Sequence, residues 1–271
     1  MKRTLVAILA LILTLAVGGA NAAGGVTLRW YGQSAVKLTT PGGKVIVIDP
    51  FITGNPVTPE ADRDLAKIGR VDLILVTHAH GDHWGDTAAL AKLTGAPVAL
   101  NADFGNTIAS LGLVPKDQVI GFNKGGPIHP LGEDITITMV HAEHSSDFAY
   151  TKDGKTTIHP GGEPAGYILQ LENGYTVWHM GDTGVFGDMA WIAEYYQPNR
   201  VLVPIGGHYT MDPRHAAYAI NELVDPDTTV PIHYSTFPAL AGAPAEFEQA
   251  LGDTDAEVVV MHPGETRTFS N

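Results

Sequence analysis

The residues best suited to chemistry stand together in Thr77-His78-Ala79-His80-Gly81-Asp82-His83-Trp84, which sets three imidazoles and a carboxylate within six residues. Imidazole nitrogen and carboxylate oxygen are the donors that hold zinc, and they also suit iron or manganese. Side chains packed this closely cannot all reach one ion without strain. Alternate residues point to different sides, so His78 and His80 can serve one cation while Asp82 and His83 serve a second. The plain alternative is a His-rich surface loop. The tract is short for that reading, and it carries Gly and Asp in register among its histidines.

The flanking segments explain how such a tract would be held. The apolar run 71–76 reads as a strand buried on both faces. Residues 86–93 read as a helix, with Asp86 as its N-cap and Gly95 just past its end. The cluster then lies on a tight loop at the carboxyl end of a buried strand, where open α/β sheets place their ligand sites.

The remaining chain alternates short strands and helices. Strands are expected over 26–31, 34–39, 44–48, 98–101, 135–140, 166–171, 175–180, 201–205, 229–232 and 257–261. Helices are expected over 103–111, 188–196, 212–224 and 245–251, the third with Asp212 as cap and Pro213 at its first position. Residues 51–69 read as a loop walling the site, and 147–161 as a polar, Gly-containing insertion at its mouth. Several strand ends carry further donors: Asp49, His141 and His144, Asp182, His208 and His233. The chain has no cysteine, so any cation must be held by His, Asp or Glu.

The N-terminus is a separate matter. Lys2 and Arg3 precede an apolar stretch over 5–17, and Ala20-Asn21-Ala22 offers a small-x-small cleavage site. Residues 1–22 therefore read as a secretory signal peptide, with 23–271 as one mature domain that is periplasmic or secreted. The apolar stretch is shorter than the ~20 residues of a membrane-spanning helix, so no stable membrane association is expected after cleavage. The formal net charge of −13 repels polyanions and argues against a nucleic-acid partner.

The tract resembles the His-x-His-x-Asp-His motif of the metallo-β-lactamase superfamily. The resemblance runs in order from Asp49 to His233. Pro164-Ala165-Gly166, Gly181-Asp182-Thr183-Gly184 and Pro204-Ile205-Gly206-Gly207 are similar to a branch of metal-dependent hydrolases related to ascorbate-6-phosphate lactonase-like proteins. The resemblance implies an α/β chain folded as a four-layer αββα sandwich with two divalent ions at one edge, zinc in first place and manganese or iron as alternatives. Carried over by position, His78, His80 and His144 hold one ion, Asp82, His83 and His233 hold the other, and Asp182 bridges. His141 is the rival of His144. Asp49 corresponds to a carboxylate behind a ligating imidazole, and also reads as a turn residue before Pro50.

Such a pair of ions implies hydrolysis of a small ester, lactone, amide or phosphodiester by a hydroxide formed at neutral pH. Asp82 and His208 are the catalytic candidates. His208, in Gly206-Gly207-His208-Tyr209, is placed to meet substrate or stabilise an oxyanion without ligating metal, with a structural loop histidine as the alternative. Two other functions stand beside this one. An iron-dependent oxidoreductase of the same fold is weakened by the absence of an appended flavin domain. A non-catalytic metal-binding protein is weakened by the open, Gly-lined mouth.

Overall fold

A computed structural model describes residues 24–270. The expected signal peptide lies outside the described residues. In chain order the first half contains β1 (Val26–Gly32), β2 (Ala35–Thr39), β3 (Val45–Ile48), β4 (Leu73–Val76), α1 (Gly81–Trp84), α2 (Thr87–Thr94), β5 (Val98–Asn101), α3 (Ala102–Ser110) and β6 (Val119–Phe122). The second half contains β7 (Pro127–Ile128), β8 (Thr136–His141), β9 (Asp147–Lys152), β10 (Lys155–Pro160), β11 (Ala165–Gln170), β12 (Thr176–His179), α4 (Met189–Tyr196), β13 (Arg200–Pro204), α5 (Pro213–Ala219), β14 (Thr228–Ile232), α6 (Pro244–Leu251), β15 (Glu257–Val258) and β16 (Thr266–Phe269).

The strands form two seven-stranded sheets, ordered β16-β1-β2-β3-β4-β5-β6 and β15-β14-β13-β12-β11-β8-β7, and a two-stranded sheet of β9 and β10. Each sheet is antiparallel on one side and parallel on the other. The change falls at β3, between β2 and β4, and at β12, between β11 and β13. Period-two alternation assigns the side chains to layers. Leu28, Trp30, Ile46, Ile48, Leu73 and Leu75 meet Ile137, Met139, Tyr167 and Leu169 in the space between the sheets. The alternate residues Val47, Ile74 and Val76 pack outward under Leu90 and Ala91 of α2 and Phe104 and Ile108 of α3. On the far side Ile168, Trp178, Val201 and Val203 pack under α4, α5 and α6. Burial of both sheet faces is why β3 and β4 read as unbroken apolar runs. The result is the four-layer αββα sandwich.

Several local expectations need correction. Residues 147–160 are a regular hairpin, β9–β10, rather than an irregular insertion. Its turn residues Asp153 and Gly154 both have positive φ (51° and 74°), as a two-residue type I′ turn requires. Asp86 does not cap α2 with its side chain. Its carboxylate instead accepts the backbone N–H groups of Ile52 and Thr53, each at 2.8 Å, and ties down the loop after β3. The expected helix 212–224 ends its regular α part at Ala219 and finishes in a π-helical turn, Ile220–Val224. The strand expected over 257–261 pairs only through Glu257–Val258.

Candidate metal centre

The carboxyl ends of β3, β4, β8, β12, β13 and β14 converge on one edge of the sandwich. β4 delivers Thr77 and His78, and the chain then turns into the one-turn helix α1, which carries Asp82 and His83. From the second sheet come His144 after β8, Asp182 after β12 and His233 directly after β14. Hydrogen bonds between the sheets fix their relation at this edge. The Tyr167 hydroxyl donates to Val76 O at 2.6 Å, Ala165 N–H to Thr77 O at 3.1 Å, and His233 N–H to Gln33 O at 3.0 Å.

Two sets of donor atoms result. His78 Nε2 lies 2.9 Å from His80 Nδ1, and His144 Nε2 lies 3.3 Å from the same atom. In the second set, Asp82 Oδ2 is 3.8 Å from His83 Nε2 and 3.7 Å from His233 Nε2. Each triple is compact enough to hold one ion. Asp182 stands between them, 3% exposed. Its Oδ2 is 3.0 Å from His233 Nε2 and 3.6 Å from His144 Nε2, and its Oδ1 is 3.2 Å from His83 Nε2. A third triple, His78, His83 and Asp182, lies in the middle and shares members with the other groups.

Asp49 sits behind this cluster, fully buried. Its carboxylate accepts from Thr77 N–H and Thr77 Oγ1, both at 2.7 Å, and from His83 Nδ1 at 2.8 Å. In the neutral ring that leaves His83 Nε2 as a lone-pair donor facing Asp182. Gly181, at φ 66°, brings the backbone before Asp182 against the first sheet. A Cβ there would lie 2.6 Å from Ala165 O and 3.1 Å from the Thr77 side chain, so no other residue fits without displacement.

Burial and charge divide the cluster. Burial holds His78, His80 and His144 below the usual imidazole range, reinforced in each case by the charge on His83. Burial also opposes the cations of His83 and His233, but carboxylates overcome it there. Asp182, Asp49 and Asp82 raise His83 well above its ordinary value, and Asp182 with Asp82 pushes His233 up to about 9. Against the same burial, His83 and His233 draw both Asp82 and Asp182 down. The depressed imidazoles are neutral donors at neutral pH. The raised pair face carboxylates in positions where a bound cation would take the place of their protons. His83 Nε2 and Asp182 Oδ1 are both buried and face each other at 3.2 Å. A cation bound there would displace the proton that the raised His83 turns toward Asp182 and meet a lone pair from each.

The structure separates residues that sequence left together. His144 joins the cluster. His141 points away from it, between Glu143 Oε2 and Lys124 Nζ, each at 3.3 Å, with its ring edge-on to Phe186. His208 does not reach the cavity and is exposed. Gly207 and His208 are consecutive left-handed residues, at φ 74° and 61°, and the tight turn they make brings Tyr209 to the cavity instead. The His208 and Tyr209 rings meet edge-on, with centroids 4.4 Å apart. His179 is structural: Nε2–H donates to Ser34 O at 3.0 Å, and Nδ1 accepts from Gly181 N–H at 3.2 Å.

Sequence reasoning missed Gln33. Its side chain is fully buried, and Nε2 lies 2.7 Å from both Asp82 Oδ2 and His233 Nε2. The only trace in sequence is the Gly32-Gln33-Ser34 break between two strands, which says nothing about where the amide points.

The fold and the cluster together define a metal-dependent hydrolase of the beta-lactamase superfamily, whose domain matches residues 44–234. Within it, the chain belongs to the UPF0173 metal-dependent hydrolase family. A member from Cupriavidus taiwanensis is 54% identical over 255 residues, covering 93% of this chain and 89% of the relative. One from Cupriavidus necator is 52% identical, covering 93% and 88%. Among solved structures, Igni18, a metallo hydrolase from the hyperthermophilic archaeon Ignicoccus hospitalis, superposes with a TM-score of 0.77 at 37% identity, covering 91% of this chain and 99% of that one.

Proposed function

We propose that the hydrolase uses two divalent ions, zinc in first place. His78, His80 and His144 hold one, Asp82, His83 and His233 hold the other, and Asp182 is shared. The observation that carries this reading is the position of Asp182, with one oxygen near His83 and the other near both His144 and His233. Ions bound there would activate water at neutral pH and polarise the scissile bond. The chain's own contribution is orientation. Asp49 fixes the His83 ring through Nδ1, Gln33 holds the Asp82 carboxylate, and His179 holds the turn that carries Asp182.

A cavity of about 890 Å³ opens over the cluster, a size that suits a small ester, lactone, amide or phosphodiester. The proposal includes export, on the charged, apolar and small-residue order of residues 1–22. Chelation followed by readdition of single metals, with a screen over those four bond types, tests the chemistry. Activity that survives complete chelation contradicts it. Mass spectrometry of the mature N-terminus tests export, and an intact Met1 on the soluble protein overturns it.

A further inference from the structure

The cavity has a second surface, unlike its ligand floor. One side is Phe51, Tyr209, Phe237, Pro238, Ala239 and Leu240, and apart from the ligand cluster no charged residue among the described residues lines the space. The rings of Phe51 and Phe237 stack with centroids 6.4 Å apart and planes inclined by 30°. This wall is fixed to the same loops that carry the metal-site residues. Phe51 follows Asp49 by two positions, its N–H donates to Asp49 O at 2.7 Å, and Asp86 N–H closes the loop on Pro50 O at 2.7 Å. Phe237 follows His233 by four positions, in a loop closed by Ser235 N–H to Leu240 O and Leu240 N–H to Phe237 O, both at 2.9 Å. The loops that carry these aromatic residues are therefore tied to the loops that carry the donor residues.

A substrate in this space would set its scissile bond over the donor cluster and meet apolar carbon elsewhere. An uncharged group laid on Phe51 and Phe237 gains in proportion to the apolar area it covers. An anionic group there loses hydration without meeting a Lys or Arg among the described residues, in a chain of net charge −13. A phosphodiester brings an anion in its ground state, whereas a carbonyl compound develops its charge only during reaction.

We infer that the substrate is a neutral carboxylic ester or lactone whose aromatic or alkyl portion lies on the Phe51–Phe237 wall. The inference rests on the hydrolase reading above and narrows it. In the reaction, water oxygen bonds to the acyl carbon and the acyl C–O bond breaks. One water proton passes to the departing alkoxide, and the other leaves on ionisation of the carboxylic acid product.

The test compares p-nitrophenyl butyrate, the p-nitrophenyl half-ester of succinic acid and bis-p-nitrophenyl phosphate on the metal-loaded enzyme. The first two share bond and leaving group and differ by one carboxylate. The butyrate is expected to exceed the half-ester in kcat/KM by about tenfold or more, the scale of one buried apolar group. Ala239→Lys should narrow that gap. Phe237→Ala should raise KM for the butyrate by about tenfold with metal content unchanged. The same variant should weaken binding of the neutral probe 4-phenylbutan-1-ol, measured by calorimetry. Preference for the half-ester or the phosphodiester overturns the inference, as does probe affinity untouched by Phe237→Ala. If no substrate is turned over while Phe237→Ala still abolishes probe binding, the ester and lactone assignment fails and the wall's binding of an apolar group stands.

Discussion

The floor and the wall of the cavity are built by opposite means. On the floor, Asp49 and His83 are fully buried, His233 is 1% exposed, and polar atoms hold one another across two sheets. On the wall, Phe237 is 39% and Tyr209 61% exposed, and the side chains are placed by backbone hydrogen bonds within loops. A buried charged network fails as a unit when one partner is removed, because the group left behind keeps its desolvation cost. A half-exposed apolar surface loses only the area that is deleted. Floor substitutions should therefore change metal content and catalysis together, while wall substitutions should change which substrate is chosen.

The sharpest way to break this contrast is Asp182→Asn. It removes the charge shared by both ligand sets, so metal content should fall below the wild-type value. The turnover number should drop by more than about 10²-fold, the scale of losing one strong electrostatic partner of the transition state. Elemental analysis and steady-state kinetics on one preparation check it. His141→Ala should leave both quantities near wild type, and the reverse ranking would dismantle the ligand assignment.

Asp49→Asn should act more mildly, since Asp49 lies behind the His83 ring and would reach a bound ion only through it. A loss of about 10–100-fold in metal affinity is expected, as for other partners that orient a ligating histidine. Competition with a chromophoric chelator measures it. Gln33→Leu removes the donor to Asp82 together with an amide oxygen that has no partner in the structure. Metal affinity should fall by about tenfold, with thermal stability changed far less than by Asp49→Asn, read by calorimetry on the metal-free protein. The smallest effect should come from His208→Ala. The residue lies outside the cavity, so kcat should stay within about twofold, the spread of ordinary surface substitutions. A hundredfold loss with metal retained would return His208 to the catalytic machinery.

The contrast also explains what sequence could show. The 77–84 tract was legible because all its donors sit on one turn after one buried strand. The second sheet supplies one donor per strand end, so Asp182 and His233 stood out only through their order relative to the superfamily pattern. His208, also after a buried strand, read as a residue placed to meet substrate without ligating metal. Nothing in its neighbours announced the paired left-handed turn that directs it outward. Gln33 was invisible because its contacts lie 49 and 200 residues away in sequence. Among the strands, β6, β7, β16 and the β9–β10 hairpin were missed, being short or mostly exposed and without the apolar alternation on which strand recognition depends. The hairpin did leave a signal in Asp153-Gly154, a pair suited to a type I′ turn, and that was the evidence to weigh over polarity.

The most direct test of the account is the number and position of ions in the saturated wild-type enzyme. Elemental analysis should give two ions per chain. Anomalous diffraction from crystals of that material should show one peak among His78, His80 and His144 and a second among Asp82, His83 and His233, with Asp182 between them. A single ion per chain, lying among His78, His83 and Asp182, would contradict it.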